Sequence, residues 1–484
     1  MHLLELIKHM NYTMMKSKKV IILLMSFCLC LSLNSYGFNA YSNKELDEIE
    51  KEFKRTINLS PQVLRNPLAK NYINQLAGKL ALHGQMSQPY FFIVKSPEIN
   101  AFAGPGGYIG VNTQLILASD SESELAAVMA HEMAHVRLHH LYRLIEHEKQ
   151  MQAPKIAGLL AAAALGLVNP VIGSGALMGA LTGFQQDSIN YVRSNEKEAD
   201  SIGIDILAKA NFDPNGMPGF FKKMQQNMRY YYTDNIPAIL RTHPLDEYRI
   251  AEAENRIAQL PYRPTGHSSN SYYLFKELVR HEVPHDSQKL LDFYRKLCTK
   301  SSPDFACAYG ESLTLIELNQ MTKAQQLLIP YQKDDLANDP FINLALAKAE
   351  QGMGNKSDAQ HIYQKFYEES PENTAVINQY SEFLDDQNDP KKAMSMLLKA
   401  HRKMPNDISV CTKLARVQAK LKLTAEAYFT EANCHLIRGE KRAAMEQLNI
   451  AKGYCKPNSY MYQRITARMD EVKDSLEDDK KSLW

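Results

Sequence analysis

The chain has 484 residues, too many for one ordinary hydrophobic core, so two folded parts are expected. Hydrophobic residues make up 45% and charged residues 23%, a mix that excludes a disordered or fibrous protein. A formal net charge of +2 leaves no electrostatic footprint for nucleic acid, and no nucleic-acid partner is expected.

The N-terminal segment carries the three parts of a secretory signal peptide. Basic Met15-Lys16-Ser17-Lys18-Lys19 precedes an apolar run from Val20 to Leu33, and small residues Ser35 and Gly37 follow. The run is shorter than the roughly 20 residues that cross a bilayer, so cleavage after Gly37 is expected rather than anchoring. Met15 is an alternative start to Met1. Cys28 and Cys30 lie inside the run, and Phe27 before Cys28 argues against a lipid-anchored cysteine. Beyond it, Cys298, Cys307, Cys411, Cys434 and Cys455 allow at most two disulfides and one leftover thiol. Cys298 and Cys307 are close enough to bridge neighbouring helices, although burial as small apolar residues explains them equally well.

Two helices are expected over 44–55 and 68–82, the second with one apolar face. Tyr90-Phe91-Phe92-Ile93-Val94 reads as a strand, and the turn-rich segment Asn100 to Gly107 leads to a second strand, Tyr108 to Val111. The two strands are expected to form a hairpin-like pair. Ser121, with Glu124 three residues on, is a capping box, so a helix is predicted over 121–148. Residues 156–186 are uncharged and long enough for a membrane span. Asn169-Pro170 and glycines 173, 175, 179 and 183 divide them, so an apolar hairpin with peripheral membrane contact is expected instead. A further helix is predicted from Asn195 to Ala210.

Past residue 270 helix follows helix with no strand signal. Ala324, Ala359, Ala393 and Ala427 recur at a period of 34 to 35, and Pro371 and Pro405 stand 34 apart. A small residue at a packing position and a proline at the unit boundary give the tetratricopeptide pattern.

The chemistry concentrates in His131-Glu132-Met133-Ala134-His135. Positions i and i+4 of a helix share a face, so both imidazoles reach one ion, while Glu132 is turned aside to hold a water. The surrounding residues are apolar, and polar groups on a core helix are costly without partners. His139, His140 and His147 lie towards the more polar end and read as surface residues. A catalytic zinc needs a third protein ligand and an open position. Glu196 and Asp200, four apart on a second helix, offer one ligand and one hydrogen-bond acceptor for a ligating imidazole. An ordinary acidic first turn is the plainer reading of that pair.

His131 to His135, Glu196-x-x-x-Asp200 and Asn100-Ala-Phe-Ala-x-Pro-Gly-Gly-Tyr-Ile together resemble the integral-and-periplasmic peptidase family that includes the CAAX prenyl proteases. The repeats behind the motif resemble its exported members. Gly104 departs from the family's larger apolar residue.

The resemblance implies an α+β zincin-like metallopeptidase domain, mainly helical with a small sheet, over 38–265. An all-α tetratricopeptide-repeat domain follows over 270–475. It implies one Zn2+ per chain on His131, His135 and Glu196, with Glu132 as general base and Asp200 behind the ligands or donating a proton. His243, in Thr242-His243-Pro244, matches a family histidine that regulates the site or contacts the transition state. The strand at Tyr108 to Val111 is expected to receive extended substrate by edge addition. The implied work is periplasmic quality control. Substrates would be unfolded or misassembled envelope proteins, and the repeats would meet the outer-membrane β-barrel assembly machinery. Two rivals are a periplasmic chaperone or scaffold with a closed zinc site, and a membrane protease spanning with 156–186.

Overall fold

The computed structural model describes residues 43–150, 186–230, 238–245, 247–300 and 302–482. The predicted signal peptide, and all but the last residue of the apolar stretch 156–186, lie outside them. Among the described residues no helix is long and apolar enough to cross a membrane.

Helix α1 (Asn43–Leu59) leads to α2 (Pro67–Gly84), which starts where Asn66 accepts hydrogen bonds from the amides of Leu68 and Ala69. Strands β1 (Tyr90–Val94), β2 (Ala101–Ala103) and β3 (Tyr108–Asn112) form one sheet in the order β1-β3-β2. The expected hairpin-like pairing needs correction. β1 and β3 run parallel, Tyr90 beside Tyr108, and the antiparallel partner of β3 is β2, Phe102 beside Gly110. Both faces of β1 are covered: Phe91 and Ile93 enter the main core, whereas Phe92 and Val94 join Phe53 and Ile57 of α1. That is why the strand reads as a continuous apolar run. At Gly104 the Phe53 ring fills the place a larger residue would need, 2.3 Å from where a Cβ would stand.

Helix α3 (Thr113–Ala118) precedes α4 (Glu122–Arg137), which carries the histidine motif, and α5 (His140–Gln150). The single helix predicted over 121–148 is therefore two, separated at Leu138 and at His139, whose φ is +54°. Ser121 caps α4 through the amide of Glu124, but the Glu124 carboxylate accepts from Asp120 rather than closing a reciprocal box. Then come α6 (Gln186–Lys209), α7 (Gly216–Tyr230), α8 (Ala238–Thr242) and α9 (Glu247–Ala258). α6 packs along α4, and α4 also lies against β2.

The remainder is all helix: α10 (Asn270–Glu282), α11 (Ser287–Lys296), α12 (Asp304–Glu317) and α13 (Met321–Leu328), then α14 (Pro340–Met353) and α15 (Lys356–Glu369). Next are α16 (Thr374–Asp386), α17 (Pro390–Lys403), α18 (Ile408–Lys420), α19 (Thr424–Arg438), α20 (Lys441–Gly453) and α21 (Tyr460–Ser482). Ala324, Ala359, Ala393 and Ala427 occupy the second helix of successive tetratricopeptide-type hairpins, and all are buried. Asp339, Asn373 and Asp407, spaced 34 apart, cap the first helices α14, α16 and α18. Cys298 bridges to Cys307 and Cys411 to Cys434, leaving Cys455 free.

Candidate metal centre

α4 is buried over almost its whole length, so His131 and Glu132 are placed by packing rather than by solvent. His131 and His135 stand one turn apart, with their Nε2 atoms 3.0 Å from one another. α6 brings Glu196, with Oε2 3.3 Å from His131 Nε2 and Oε1 3.4 Å from His135 Nε2. The approach depends on Gly203. A Cβ there would lie 2.8 Å from the Met217 methyl and 3.3 Å from the backbone nitrogen of His131. Glu196 sits well inside α6 rather than in a first turn, so the plainer reading of Glu196 and Asp200 as helix-end acids does not fit.

The short helix α8 is tied to the sheet by the Ile239 amide, which donates to the Ile99 carbonyl just before β2. At its end His243 Nδ1 lies 3.0 Å from both Glu196 oxygens and 3.3 Å from His131 Nε2. Donor atoms of His131, His135, Glu196 and His243 all fall within 4.8 Å of one another. Three imidazoles and one carboxylate, all at least half-buried, form a donor set of zinc type. Glu132, 1% exposed, has two buried carboxylate oxygens without a hydrogen-bond partner among the described residues, and His243 Nε2 is 3.3 Å from one of them. A buried carboxylate with no hydrogen bond beside such a set fits a site built to hold a water next to an ion.

Behind these residues lies a second ring. Asp200 Oδ1 is 2.9 Å from His131 Nδ1, and Arg249 on α9 donates from Nε and Nη2 to the two Asp200 oxygens at 2.8 Å each. Arg249 also approaches Glu196 at 3.0 Å and donates to the Pro244 carbonyl. Sequence reading missed Arg249; nothing marks one arginine on an amphipathic helix as buried. His140 was read as a surface residue and is not. The break at His139 turns it inward to 3% exposure, with Nδ1 2.9 Å from His135 Nδ1 and Nε2 3.3 Å from Glu198. His139 is exposed, as expected, and the side chain of His147 lies outside the described residues.

The electrostatics follow from burial set against contact. Burial disfavours a charged His131, but its contacts with Asp200 and Glu196 prevail and hold it up at about 10, so an ion at Nε2 competes with a proton. Burial pushes His135 down, and burial with the neighbouring His135 pushes His140 down to about 4. Against burial, His243 and His135 hold Glu196 well below the usual carboxylate range, and His131 and Arg249 lower Asp200. An apolar pocket lined by Val128, Phe220, Phe221, Met224, Ile239 and Leu240 opens beside His131 and His243. β3 is the central strand, so it offers no edge to a substrate; the outer strand on the α4 side is β2.

Residues 64–257 match the model of peptidase family M48. The chain is 30% identical over 435 residues to the "Beta-barrel assembly-enhancing protease" of Escherichia coli (strain K12), covering 88% of this chain and 87% of that protein. It is 32% identical over 167 residues to the "Mitochondrial metalloendopeptidase OMA1" of Schizosaccharomyces pombe, covering 34% of this chain and 46% of that one. Among solved structures, a tetratricopeptide repeat protein from Parabacteroides merdae aligns at 12% identity, over 60% of this chain and 96% of that one, with a TM-score of 0.25.

Proposed function

Because the chain belongs to the family of the β-barrel assembly-enhancing proteases and carries a peptidase family M48 domain, we propose that this metalloendopeptidase is exported, uses zinc, and cleaves unfolded or misassembled envelope proteins. The observation that carries the reading is the buried Glu132 carboxylate, with neither oxygen in a hydrogen bond among the described residues, beside the donors of His131, His135 and Glu196.

His131, His135 and Glu196 would hold a zinc ion, which would supply Lewis-acid polarisation of the scissile carbonyl and acidify water. Glu132 takes the proton of the attacking water and delivers it to the leaving amine. Asp200 fixes the His131 ring, and Arg249 pairs with the two buried carboxylates that face it. His140, itself held by Glu198, does the corresponding work behind His135. An extended substrate adds to β2, which places its peptide bond by α4, and an apolar side chain enters the pocket beside His131. His243, drawn in against Glu196, guards the position that substrate needs.

Two disulfides accord with an oxidising compartment and so with the periplasm. The repeats are the surface proposed to meet the β-barrel assembly machinery. The grouping of four donors favours one second reading, a closed structural site in a chaperone or scaffold. Incubating the purified chain with unfolded casein or an unfolded β-barrel protein, with and without a chelator, separates the two. The protease reading expects cleavage that the chelator stops and zinc restores; the scaffold reading expects none.

A further inference from the structure

A second cluster of metal-ligating side chains lies where the protease part passes into the repeats. His281 is in the last turn of α10, His285 follows Pro284 in the turn to α11, and Glu317 ends α12. We propose that His281, His285 and Glu317 form a second cation site, structural rather than catalytic, for a borderline divalent ion such as Zn2+.

Both imidazoles bring Nε2 to the same carboxylate oxygen. Glu317 Oε2 is 3.1 Å from His281 Nε2 and 3.1 Å from His285 Nε2. Ligand atoms around a tetrahedral zinc stand roughly 3.3 Å apart, given bonds of about 2.0 Å. The remaining atoms of two of the three side chains are already committed. His285 Nδ1 is 2.8 Å from the Val283 carbonyl, which only accepts, so Nδ1 carries the hydrogen and the neutral ring presents a lone pair at Nε2. Lone pair and carboxylate then face each other unless a proton or a metal ion lies between them. Backbone engagement of the far ring nitrogen is the usual support of a metal-bound histidine. The Ser287 hydroxyl donates to Glu317 Oε1, which orients the carboxylate and leaves Oε2 for the ion. His281 Nε2 is shut off from water, and Glu317 Oε2 is the group that faces it. The C-terminal ends of α10 and α12 meet here, and their partial negative charge favours a cation.

Imidazole with carboxylate suits zinc-like ions rather than calcium or magnesium. The Glu317 side chain is 44% exposed, so solvent completes the coordination. The neighbouring Glu282 accepts a hydrogen bond from Asn66. The ion would act as a clip. It ties the start of α11 to α12, and the Cys298–Cys307 bridge ties the segment after α11 to the same helix.

The test is metal counting on the purified full chain, loaded with Zn2+ and dialysed. About two ions per chain are expected, against about one in His285→Ala or Glu317→Gln, with peptidase activity retained in both. On a His131→Ala, His135→Ala background one ion should remain and added Zn2+ should raise Tm. Adding His285→Ala should remove the ion and the Tm response together. A parent chain with one ion, unchanged by His285→Ala, would overturn the proposal and leave Glu317 paired with a protonated imidazole. Retention of zinc and of the Tm response when His285 and Glu317 are both replaced would overturn it as well.

Discussion

At the scale of residues, the proposed site divides into groups that would face an ion and groups that hold those in place. Glu196→Ala removes a donor, whereas Asp200→Ala removes the support of one, a loss on the order of 10- to 100-fold in metal affinity. Zinc titration should therefore rank Glu196→Ala as the weaker binder. Thermal melts should reverse the order, because Asp200→Ala strips Arg249 of its bidentate partner in a buried setting, a loss of about 3 kcal/mol. Equal zinc affinity in the two variants would leave the third ligand unassigned. His243→Ala should raise basal hydrolysis of an unfolded substrate several-fold, since the imidazole competes for the substrate's position. Unchanged hydrolysis would remove His243 from the mechanism. The five-residue motif was legible because its geometry is local to one helix. Arg249 was not legible, because its partner Asp200 lies 49 residues away and is met only after the chain returns through α9. His140 was misread because its direction depends on one left-handed residue, His139.

At the scale of elements, two close approaches make the site. α6 reaches α4 only because position 203 has no side chain. Gly203→Val should force the helices apart at the cost of about 1 to 3 kcal/mol and weaken metal binding. A melt together with a zinc titration reads both effects, and an unaltered zinc affinity would show that Glu196 does not rely on this contact. The sheet teaches a different lesson. Both strands of the expected pair exist, yet their order depends on β2, a three-residue strand inside what the sequence presents as a turn. Glycine and proline density in Gly104-Pro105-Gly106-Gly107 announces a turn but not the short strand before it, and so the substrate edge was assigned to a central strand.

At the scale of the whole molecule, the described chain from Asp47 onward forms one compact unit. Two successive repeat caps, Asn373 and Asp407, meet α2, and the cap before them, Asp339, is held by α10. Ser271 donates to Asp339 at 2.7 Å, Asn71 to Asn373 at 3.0 Å, and Lys70 pairs with Asp407 at 3.0 Å. The 34-residue period exposed the repeats, whereas the use of their caps as a docking row could be seen only once α2 lay beside them. Asp407→Ala should lower stability by about 1 kcal/mol as a lost cap, read by denaturant unfolding. Against burial, Lys70 holds the Asp407 pKa below its usual 3.8. A depressed folded-state pKa contributes stability that is present above the unfolded value and lost as pH falls through the folded one. The difference between parent and Asp407→Ala should therefore be full at neutral pH and shrink below about pH 4. A difference that grew on acidification would contradict the pairing.

The most direct measurement is zinc content and peptide hydrolysis in Glu132→Gln. In the proposed mechanism the carboxylate serves water and not the ion, so the variant should keep about one zinc at the His131, His135 and Glu196 site and lose hydrolysis altogether. Zinc lost along with activity would make Glu132 a ligand. Hydrolysis retained in the Glu132→Gln variant would contradict the mechanism outright.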